Sequence, residues 1–250
     1  MDLPGRNKNS ILVIDQGNTL VKVALFEDDK LIFVKHLSTI NAYEINNLGI
    51  NSNDISTGII SSVADDPSSV TDFFKSIRWL ILDHNTWLPI TNKYATPETL
   101  GKDRLAAVVG ASAIFPGKDI LVIDIGTAIT YDLITKNKEY IGGSISPGLT
   151  IRYKALHTFT GRLPLIESAV YNDLTGKNTH ESILSGVMNG VLFELNGFIN
   201  EYEHLYPGLE IILTGGDAFY FDKKLKSHIF ASPNLVLNGL KLILQHNFEK

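Results

Sequence analysis

The sequence predicts a duplicated α/β fold, and the main reason is a stretch of chain that occurs twice. Residues 120–134 read ILVIDIGTAITYDLI and residues 11–25 read ILVIDQGNTLVKVAL, with the same apolar lead-in, the same Asp and a Gly two residues later. A continuous apolar run before the Asp is typical of a strand that is buried on both faces. The Gly favours a tight turn, so each copy is predicted to form a β-hairpin with a carboxylate near its tip.

Each copy of the hairpin is followed by a third predicted strand, at Leu31–Leu37 in the first half and Tyr140–Ile145 in the second. The turn-forming sequence at residues 115–118, FPGK, comes immediately before the second copy and is the best candidate boundary in the chain. The sequence therefore predicts an N-terminal half, residues 1–115, and a C-terminal half, residues 116–250.

Further helices and short strands complete each half. Apolar residues at helical spacing predict helices that begin near Ser68, Lys102, Leu149 and His180, with a last amphipathic helix through residues 237–244. The third of these is expected to end near Phe159, and Asn178 and Glu181 have the spacing of a capping box before the fourth. Short apolar runs predict strands at residues 58–63, 79–82, 87–90 and 211–213.

Composition excludes several classes of function. The chain has 250 residues, 44% of them hydrophobic and 20% charged, as in an ordinary globular protein. A formal charge of −5 is unfavourable for binding nucleic acid. Because there is no cysteine, disulfides, thiolate catalysis and thiolate metal sites are absent. The seven histidines are scattered without metal-ligand spacing.

No targeting or membrane-spanning segment is expected. Residues 1–10 are polar and charged and lack the apolar core of a signal peptide. No continuous apolar run approaches the roughly 20 residues that span a bilayer. The sequence therefore predicts a cytoplasmic protein with no membrane partner.

The tips of the two hairpins are candidate phosphate sites. Backbone N–H groups in a Gly-containing loop, with hydroxyl side chains beside them, form a cradle for phosphate oxygens. Asp15 and Asp124 occupy matching positions, and either one alone would more often be an ordinary turn aspartate. Since the motif is duplicated, we expect both halves to face a shared phosphate-bearing ligand. A carboxylate there can hold hydrated Mg²⁺ or another cation beside the phosphates.

Residue pattern alone leaves the other candidates open. Lys22 is either a phosphate ligand or a solvent-facing strand lysine. Asp103 lies in the first turn of a predicted helix, where the helix dipole favours an acid whatever its function. Arg104 can be a surface or interface cation, and Thr179 can simply begin a helix. The run Thr214–Gly216 is either a plain turn or a place where backbone lies flat against a base.

The ordered set of motifs resembles the type III pantothenate kinases, a branch of the acetate-kinase, sugar-kinase, heat-shock-protein and actin superfamily. The resemblance runs from Ile11 to about Ala218, and the N-terminal tail before it is longer than the family leads us to expect. The full series is specific, whereas no single motif is. It comprises DQGNT at 15–19 with Lys22, GKDR at 101–104, DIGTAITYD at 124–132, GGSISPGL at 142–149, GRLP at 161–164, GKNT at 176–179 and TGGDA at 214–218.

The resemblance implies two ribonuclease-H-like, actin-like ATPase domains with a cleft between them. It implies ATP-dependent phosphorylation of pantothenate to 4'-phosphopantothenate, the first step of coenzyme A biosynthesis. The implied cofactors are Mg²⁺ with ATP and a monovalent cation, K⁺ or NH₄⁺. The implied assembly is a homodimer.

The resemblance also implies residue roles. Asp103 is the expected general base, which takes the proton from the primary hydroxyl of pantothenate, and Asp124 is an expected ligand of the monovalent cation. The expected ATP-binding residues are Asp15, Gln16, Gly17, Asn18, Thr19, Leu20, Val21 and Lys22 of the first phosphate loop, Thr127 of the second loop (residues 124–130), and Gly215 and Gly216 near the adenosine. The expected pantothenate-binding residues are Tyr94, Gly101, Lys102, Asp103, Arg104 and Thr179.

Two alternatives compete with this interpretation. The first is a regulatory protein of the same fold in which catalysis is lost or subordinate; three retained acids, Asp15, Asp103 and Asp124, and the net negative charge argue against it. The second is a sugar or acetate kinase, which keeps the phosphate hairpins and changes the acceptor. The GKDR and GKNT motifs argue against that one, because they belong to the pantothenate site of the family.

The helix that follows His180 is the predicted dimer surface. Its apolar positions spread over more than one narrow stripe, and Gly186 and Gly190 lie four residues apart, which permits close approach of a second helix. The alternative is a helix buried entirely within one subunit, with its glycines packed on a sheet.

Overall fold

The computed structural model describes residues 10–17, 20–50, 55–62, 68–225 and 227–248. Asn18 and Thr19 of the predicted first phosphate loop lie outside the described residues, as do Asp66 and Pro67, the two residues before the helix predicted near Ser68. The chain forms two compact units. One comprises the chain up to Gly110 together with the segment from Leu235 onwards, and the other comprises Ala111–Asn234.

The first unit is built on a five-stranded sheet. Its strands are β1 (Ser10–Gln16), β2 (Val21–Glu27), β3 (Lys30–Leu37), β4 (Ile55–Ser62) and β5 (Arg78–Ile81). Their order is β3-β2-β1-β4-β5, with an antiparallel meander from β1 to β3 and parallel pairing of β1 with β4 and of β4 with β5. Because β1 and β4 are parallel, their carboxyl ends meet at one edge of the sheet.

The first unit also contains helices, and the one that begins at Lys102 carries the candidate residues Asp103 and Arg104. Besides a two-residue strand, β6 (Thr91–Asn92), and a short 3₁₀ helix (Pro97–Thr99), the unit contains α1 (Ala42–Asn47), α2 (Ser68–Thr71), α3 (Lys102–Ile114) and the C-terminal helix, α6 in chain order (Leu235–Phe248). A Cβ on Gly239 would lie 1.8 Å from the carbonyl oxygen of Ala106, so α6 packs directly on α3. The packing places the last helix with the first unit. The boundary near residue 115 between two halves of the sequence stays a prediction.

Two local predictions in the first unit are wrong. Residues 87–90, predicted as a strand, are irregular. Pro89 has no N–H to donate to a strand ladder. Just before it, the Asp83 carboxylate accepts hydrogen bonds from the Asn85 N–H (2.9 Å) and the Thr86 hydroxyl (3.0 Å), which closes a turn. The predicted helix at Ser68 is a single turn, α2, followed by turns through Ser76.

The second unit repeats the topology of the first. Its strands are β7 (Ile120–Ile125), β8 (Ala128–Ile134), β9 (Glu139–Pro147), β10 (Glu210–Thr214) and β11 (Phe230–Ala231). They follow the order β11-β10-β7-β8-β9, again with a meander and then two parallel strands. The predicted duplication of an α/β unit is confirmed.

The second unit contains two long helices, α4 (Leu149–Phe159) and α5 (Thr179–Leu205). The predicted capping box of α5 is present, since the Asn178 side chain accepts a hydrogen bond of 2.9 Å from the Glu181 N–H. Among the described residues, α5 alone is long and apolar enough to cross a membrane by length and composition, a test that core helices also pass. Its apolar buried side chains belong to the core of the second unit.

Candidate functional site

Asp15 lies at the end of β1, directly opposite Lys22 in the β1–β2 register. Its side chain is buried and accepts a hydrogen bond from Ser61 of the neighbouring strand β4. The pKa of Asp15 is raised to about 6, mainly by burial and also by nearby Asp103, while Lys22 and the Ser61 hydrogen bond oppose the shift. The structure therefore brings Asp15, Lys22 and Asp103 into one electrostatic cluster in the first unit.

The end of β4 connects the first hairpin to the GKDR segment. The Ser62 hydroxyl donates to the Gln16 side-chain oxygen (3.0 Å), and the Lys102 ammonium donates to the Ser62 carbonyl (2.9 Å). Sequence reasoning missed Ser61 and Ser62. The available signal was a pair of hydroxyl residues directly after the apolar run of a strand that could lie parallel to β1.

Asp103 is an exposed side chain in the first turn of α3. Its carboxylate accepts a hydrogen bond of 2.8 Å from the Arg104 N–H, and a Cβ on Gly101 would lie 2.6 Å from the same carboxylate oxygen. Gly101 therefore leaves the space that this carboxylate fills. The Arg104 N–H at the start of the helix therefore has an acceptor, and the Asp103 carboxylate remains exposed to solvent.

Arg104 and Tyr94 form the remaining part of this cluster. The Arg104 side chain is only 6% exposed, and its guanidinium lies 5.6 Å from the centre of the Tyr94 ring. That distance is within the range of a cation–π contact. The Tyr94 N–H donates to the Asn92 side-chain oxygen (2.9 Å), which fixes the loop before α3. A buried guanidinium beside an aromatic ring is suited to binding an anionic, partly apolar molecule.

The second hairpin carries Asp124 at the position that matches Asp15. Asp124 is opposite Thr130 in the β7–β8 register and beside Thr214 of β10. The Gly126 N–H donates to the Ala128 carbonyl (3.0 Å), which closes the turn and leaves Thr127 exposed at its tip. In the first hairpin, Gln16 pairs with Val21, whereas here Ile125 pairs with Ile129, so the first loop is one residue longer.

The predicted adenosine motif packs on the second hairpin. Gly215 has a φ of +98°, and a Cβ there would lie 2.5 Å from an Asp124 carboxylate oxygen, so only glycine fits. The Asp217 N–H donates to the Ile125 carbonyl (2.9 Å). Gly216 is exposed, and a Cβ at this position would contact nothing within 4 Å, which leaves an open surface over the turn. Sequence reasoning passed over Asp217, whose pKa is raised by burial.

The start of α4 also contacts the second hairpin. The Gly148 N–H donates to the Thr127 carbonyl (3.1 Å), and a Cβ on Gly148 would lie 2.0 Å from the Gly126 carbonyl oxygen. The second loop is therefore held between the TGGD turn on one side and the SPG bend at residues 146–148 on the other.

Thr179 is the first residue of α5 and is exposed. The segment before it is tied to the helix, because the Glu181 carboxylate accepts from the Lys177 N–H (2.8 Å) and a Cβ on Gly176 would lie 2.2 Å from the Ser182 nitrogen. The GKNT segment thus has a defined conformation, with the Thr179 hydroxyl at a helix N-terminus.

The candidate metal ligands of this site are the carboxylates of Asp15 and Asp124. Over the described ranges, no group of three or more His, Cys, Asp or Glu residues could hold a metal ion. Isolated carboxylates at strand ends suit a Mg²⁺ ion that keeps waters and is held mainly by substrate phosphates. Asp124, an oxygen donor beside a glycine turn, also suits a monovalent cation, which prefers oxygen ligands. The donor set therefore fits both implied cations.

Comparison with known proteins gives the family. The profile of the family described as type III pantothenate kinase matches residues 11–201. A type III pantothenate kinase from Bacteroides fragilis is 47% identical over 238 residues, which cover 94% of this chain and 98% of that protein.

Two solved structures share the fold at low sequence identity. One, from Campylobacter jejuni and described as a Baf family transcriptional activator, is 21% identical with a TM-score of 0.61 and covers 96% of this chain and 100% of its own. The other, the activator of 2-hydroxyisocaproyl-CoA dehydratase from Clostridium difficile with bound ADPNP, is 11% identical with a TM-score of 0.55 and covers 96% and 94%. Fold and sequence agree, and the chain belongs to the type III pantothenate kinase family.

Proposed function

We propose that this chain transfers the γ-phosphoryl group of ATP to the primary hydroxyl of pantothenate and forms 4'-phosphopantothenate, the first step of coenzyme A biosynthesis. The similarity to a type III pantothenate kinase, 47% identity over 94% of this chain, supports this proposal. The observation that carries the proposal is the cluster of Asp15, Lys22 and Asp103 beside Arg104 and Tyr94 in the first unit. It combines a base, a phosphate-binding cation and an anion site.

Asp103 is the proposed general base. Its carboxylate is exposed at the start of α3, and one of its oxygens already accepts the Arg104 N–H. In a loose phosphoryl-transfer transition state the alcohol loses its proton late, so a weakly basic carboxylate can receive it. Asp103 then orients the attacking hydroxyl and receives its proton.

The first hairpin is the proposed site for part of the triphosphate. Lys22 supplies positive charge, and the loop from Asp15 to Lys22 supplies backbone N–H donors. Charge compensation and alignment are what phosphoryl transfer requires of a protein. Buried Asp15, held between Lys22 and Ser61, is suited to orienting the waters around a phosphate-bound cation.

The second unit supplies the other proposed ATP contacts. Thr127 offers a hydroxyl and loop N–H groups to the phosphates, and Gly215 and Gly216 offer a side-chain-free surface to the adenosine. Asp124 is the proposed ligand for K⁺ or NH₄⁺. When bound with ATP, Mg²⁺ and the monovalent cation neutralise phosphate charge; the chain's own part is to hold the nucleotide in one orientation.

Pantothenate is the proposed ligand of the GKDR cluster and of Thr179. Its carboxylate is matched by the Arg104 guanidinium, and its apolar portion by the Tyr94 ring. Gly101 and Lys102 complete the segment, with Lys102 fixed to the Ser62 carbonyl. The Thr179 hydroxyl at the start of α5 is a further hydrogen-bonding group for this polar substrate.

A homodimer in the cytoplasm is the proposed state of the protein. On α5, Gly186, Gly190 and Gly197 fall on one helix face, and a Cβ on any of them would contact nothing within 4 Å among the residues that the structure describes. Phe193, on the same face, is 60% exposed. These open surroundings argue against the alternative in which the glycines pack on the sheet of their own subunit. Open glycines around an exposed aromatic ring suit the same helix of a second copy.

The test is acceptor-dependent ADP formation by the purified chain with ATP, Mg²⁺ and K⁺. We expect turnover with pantothenate and a product heavier by one phosphoryl group in mass spectrometry, and no turnover with acetate or N-acetylglucosamine. ADP formation that does not depend on pantothenate would contradict the proposal. No observation specific to this chain favours a regulatory function, because the likeness to the Campylobacter jejuni protein extends to the fold alone.

A further inference from the structure

Arg152, on the first turn of α4, is the centre of a polar network beside the second hairpin. Its Nε donates to the Pro147 carbonyl (2.8 Å) and its Nη2 donates to the Ser146 hydroxyl (2.9 Å). The same Nη2 makes an ion pair with the Glu194 carboxylate of α5. One guanidinium therefore joins the end of β9, the start of α4 and the middle of α5.

Glu194 anchors the network to the core of the second unit. Its second oxygen accepts a hydrogen bond of 2.8 Å from the hydroxyl of Tyr131, a fully buried residue whose ring stacks on Phe198 at 4.0 Å. Burial raises the pKa of Glu194, but hydrogen bonds from Arg152, Ser146 and Tyr131 outweigh this and lower it. The carboxylate is thus charged at neutral pH and keeps Arg152 in place. The side chains are 22% and 21% exposed, so solvent screens the pair only partly.

The peptide between Pro147 and Gly148 transmits the position of Arg152 to the second hairpin. The oxygen of this peptide accepts from Arg152, and its N–H donates to the Thr127 carbonyl (3.1 Å). Because a peptide group is planar, fixing the direction of its oxygen fixes the direction of its N–H. The Gly148 backbone and the second hairpin are in close contact, because a Cβ added to Gly148 would lie 2.0 Å from the Gly126 carbonyl oxygen.

We propose that Arg152 is a positioning residue for the second phosphate loop, acting through the Pro147–Gly148 peptide, and that Glu194 holds it there. Arg152 itself does not touch ATP in this proposal. It sets the position of Gly126 and Thr127, and thereby the geometry of the phosphate contacts that Thr127 makes. The inference rests on the proposed role of Thr127 in binding ATP.

The test compares the KM for ATP with the KM for pantothenate in Arg152→Met, which keeps an unbranched apolar stem and removes every donor. Misplacing a phosphate loop should raise the KM for ATP roughly 10- to 100-fold. The KM for pantothenate should stay within about twofold, because the GKDR cluster lies in the other unit and Thr179 lies roughly 20 Å along α5 from Glu194. Arg152→Lys should recover part of the loss, since an ammonium reaches one acceptor and not three. Lys154→Met, an exposed lysine on the same helix, is the matched control and should leave both KM values unchanged.

Gly148→Ala tests the same coupling without touching the ion pair. The added Cβ must push the loop away, so we expect the same ATP-specific rise in KM, whether or not Arg152→Met folds. An unchanged KM for ATP in Gly148→Ala, or an equal rise of both KM values in the folded Arg152→Met enzyme, overturns the proposal. Thr127→Val distinguishes a failure of the ATP-binding role of the loop from a failure of the positioning role of Arg152. If it leaves the KM for ATP unchanged, the ATP-binding role of the loop fails and the role of Arg152 fails with it; if it raises the KM while Arg152→Met does not, only the role of Arg152 fails.

Discussion

Asp15 and Lys22 are paired opposite each other at the end of the first hairpin, yet the pKa of Asp15 is raised and not lowered. Burial outweighs the attraction of the lysine, and the neighbouring carboxylate of Asp103 adds to the shift. The chain therefore keeps a carboxylate where its charge is costly. Such a cost is common where an ionised group serves binding or catalysis.

Asp15→Asn should stabilise the fold above pH 6 and impair turnover. The folded-state pKa of Asp15, about 6, exceeds its ordinary value of 3.8, so between these pH values the folded protein binds more protons than the unfolded chain does. The free energy of unfolding should therefore fall as pH rises from about 4 to about 6. Removing the charge should recover up to about 3 kcal/mol, from about two pKa units at roughly 1.4 kcal/mol each.

Urea unfolding at a series of pH values measures this effect. The difference between the variant and the natural protein should grow from pH 4 to pH 6 and then level off. Asp72→Asn, at an exposed position, is the control and should show no such growth. A variant that is less stable at pH 7.5 than the natural protein would contradict the assignment of a buried, costly charge.

Lys22→Met should extend the pH range over which the charge of Asp15 lowers the free energy of unfolding, so that the range reaches beyond pH 6. Lys22 lowers the pKa of Asp15, so its removal should raise that pKa above about 6. The stability difference between Lys22→Met and the double variant with Asp15→Asn should therefore keep growing beyond pH 6. Lys30→Met, at the far end of the sheet where Lys30 pairs with Glu27, should leave this pH range where it is. A pH range that does not move in Lys22→Met would show that Lys22 does not act on Asp15.

Asp103→Asn should lower kcat by about 10²- to 10⁴-fold, the usual cost of losing a general base. The Asn oxygen can still accept from the Arg104 N–H, so the start of α3 and the KM for ATP should be preserved. Glu98→Gln, an exposed acid on the preceding 3₁₀ helix, should retain full activity. If Asp103→Asn kept most of its turnover, the carboxylate would be a helix-start acid and nothing more.

The duplicated hairpins could be predicted from the sequence because each is local. A buried apolar run, an Asp and a Gly determine strand, tip and turn within fifteen residues, and repetition of the pattern predicted two similar units. The register of each hairpin and the one-residue difference in loop length could not be predicted, because nothing in the sequence shows whether Ile129 or Thr130 pairs with Ile125.

Contacts between distant segments were the part that could not be predicted. Ser61 and Ser62 reach Asp15 and Gln16 only because β4 is parallel to β1. The packing of α6 on α3 depends on Gly239, more than 120 positions away from Gly110 in the chain, so no local pattern indicates it. The strand predicted at residues 87–90 failed for the opposite reason, since a local turn and Pro89 overrode its apolar composition.

Turnover should require K⁺ or NH₄⁺, and Na⁺ should not replace them. A monovalent cation at Asp124 would offset the repulsion between phosphates and order the turn from Asp124 to Thr127. Initial rates at equal ionic strength in the three chloride salts measure the requirement. Asp124→Ala should abolish the dependence together with most of the activity. In Asp119→Asn, just before β7, the Asn oxygen can still accept from the Lys136 N–H, so the dependence should be normal.

Equal rates in K⁺ and Na⁺ would remove the proposed cation site. An unchanged K⁺ dependence in Asp124→Ala would instead place it at other residues.

Gly190→Leu should convert the proposed dimer into monomers without unfolding the chain. A Cβ at Gly190 meets nothing within 4 Å among the described residues, so the larger side chain is tolerated within one subunit and would obstruct only a second copy. Light scattering at micromolar concentration should report half the mass of the natural protein. Because Thr179 begins the same helix, the KM for pantothenate should rise while the melting temperature of the subunit changes little. Gly161→Leu, at a glycine with similarly open surroundings outside α5, should remain dimeric. A natural protein that is monomeric and fully active would refute both the dimer and its coupling to substrate binding, whereas a Gly190→Leu protein that stays dimeric would refute the α5 interface.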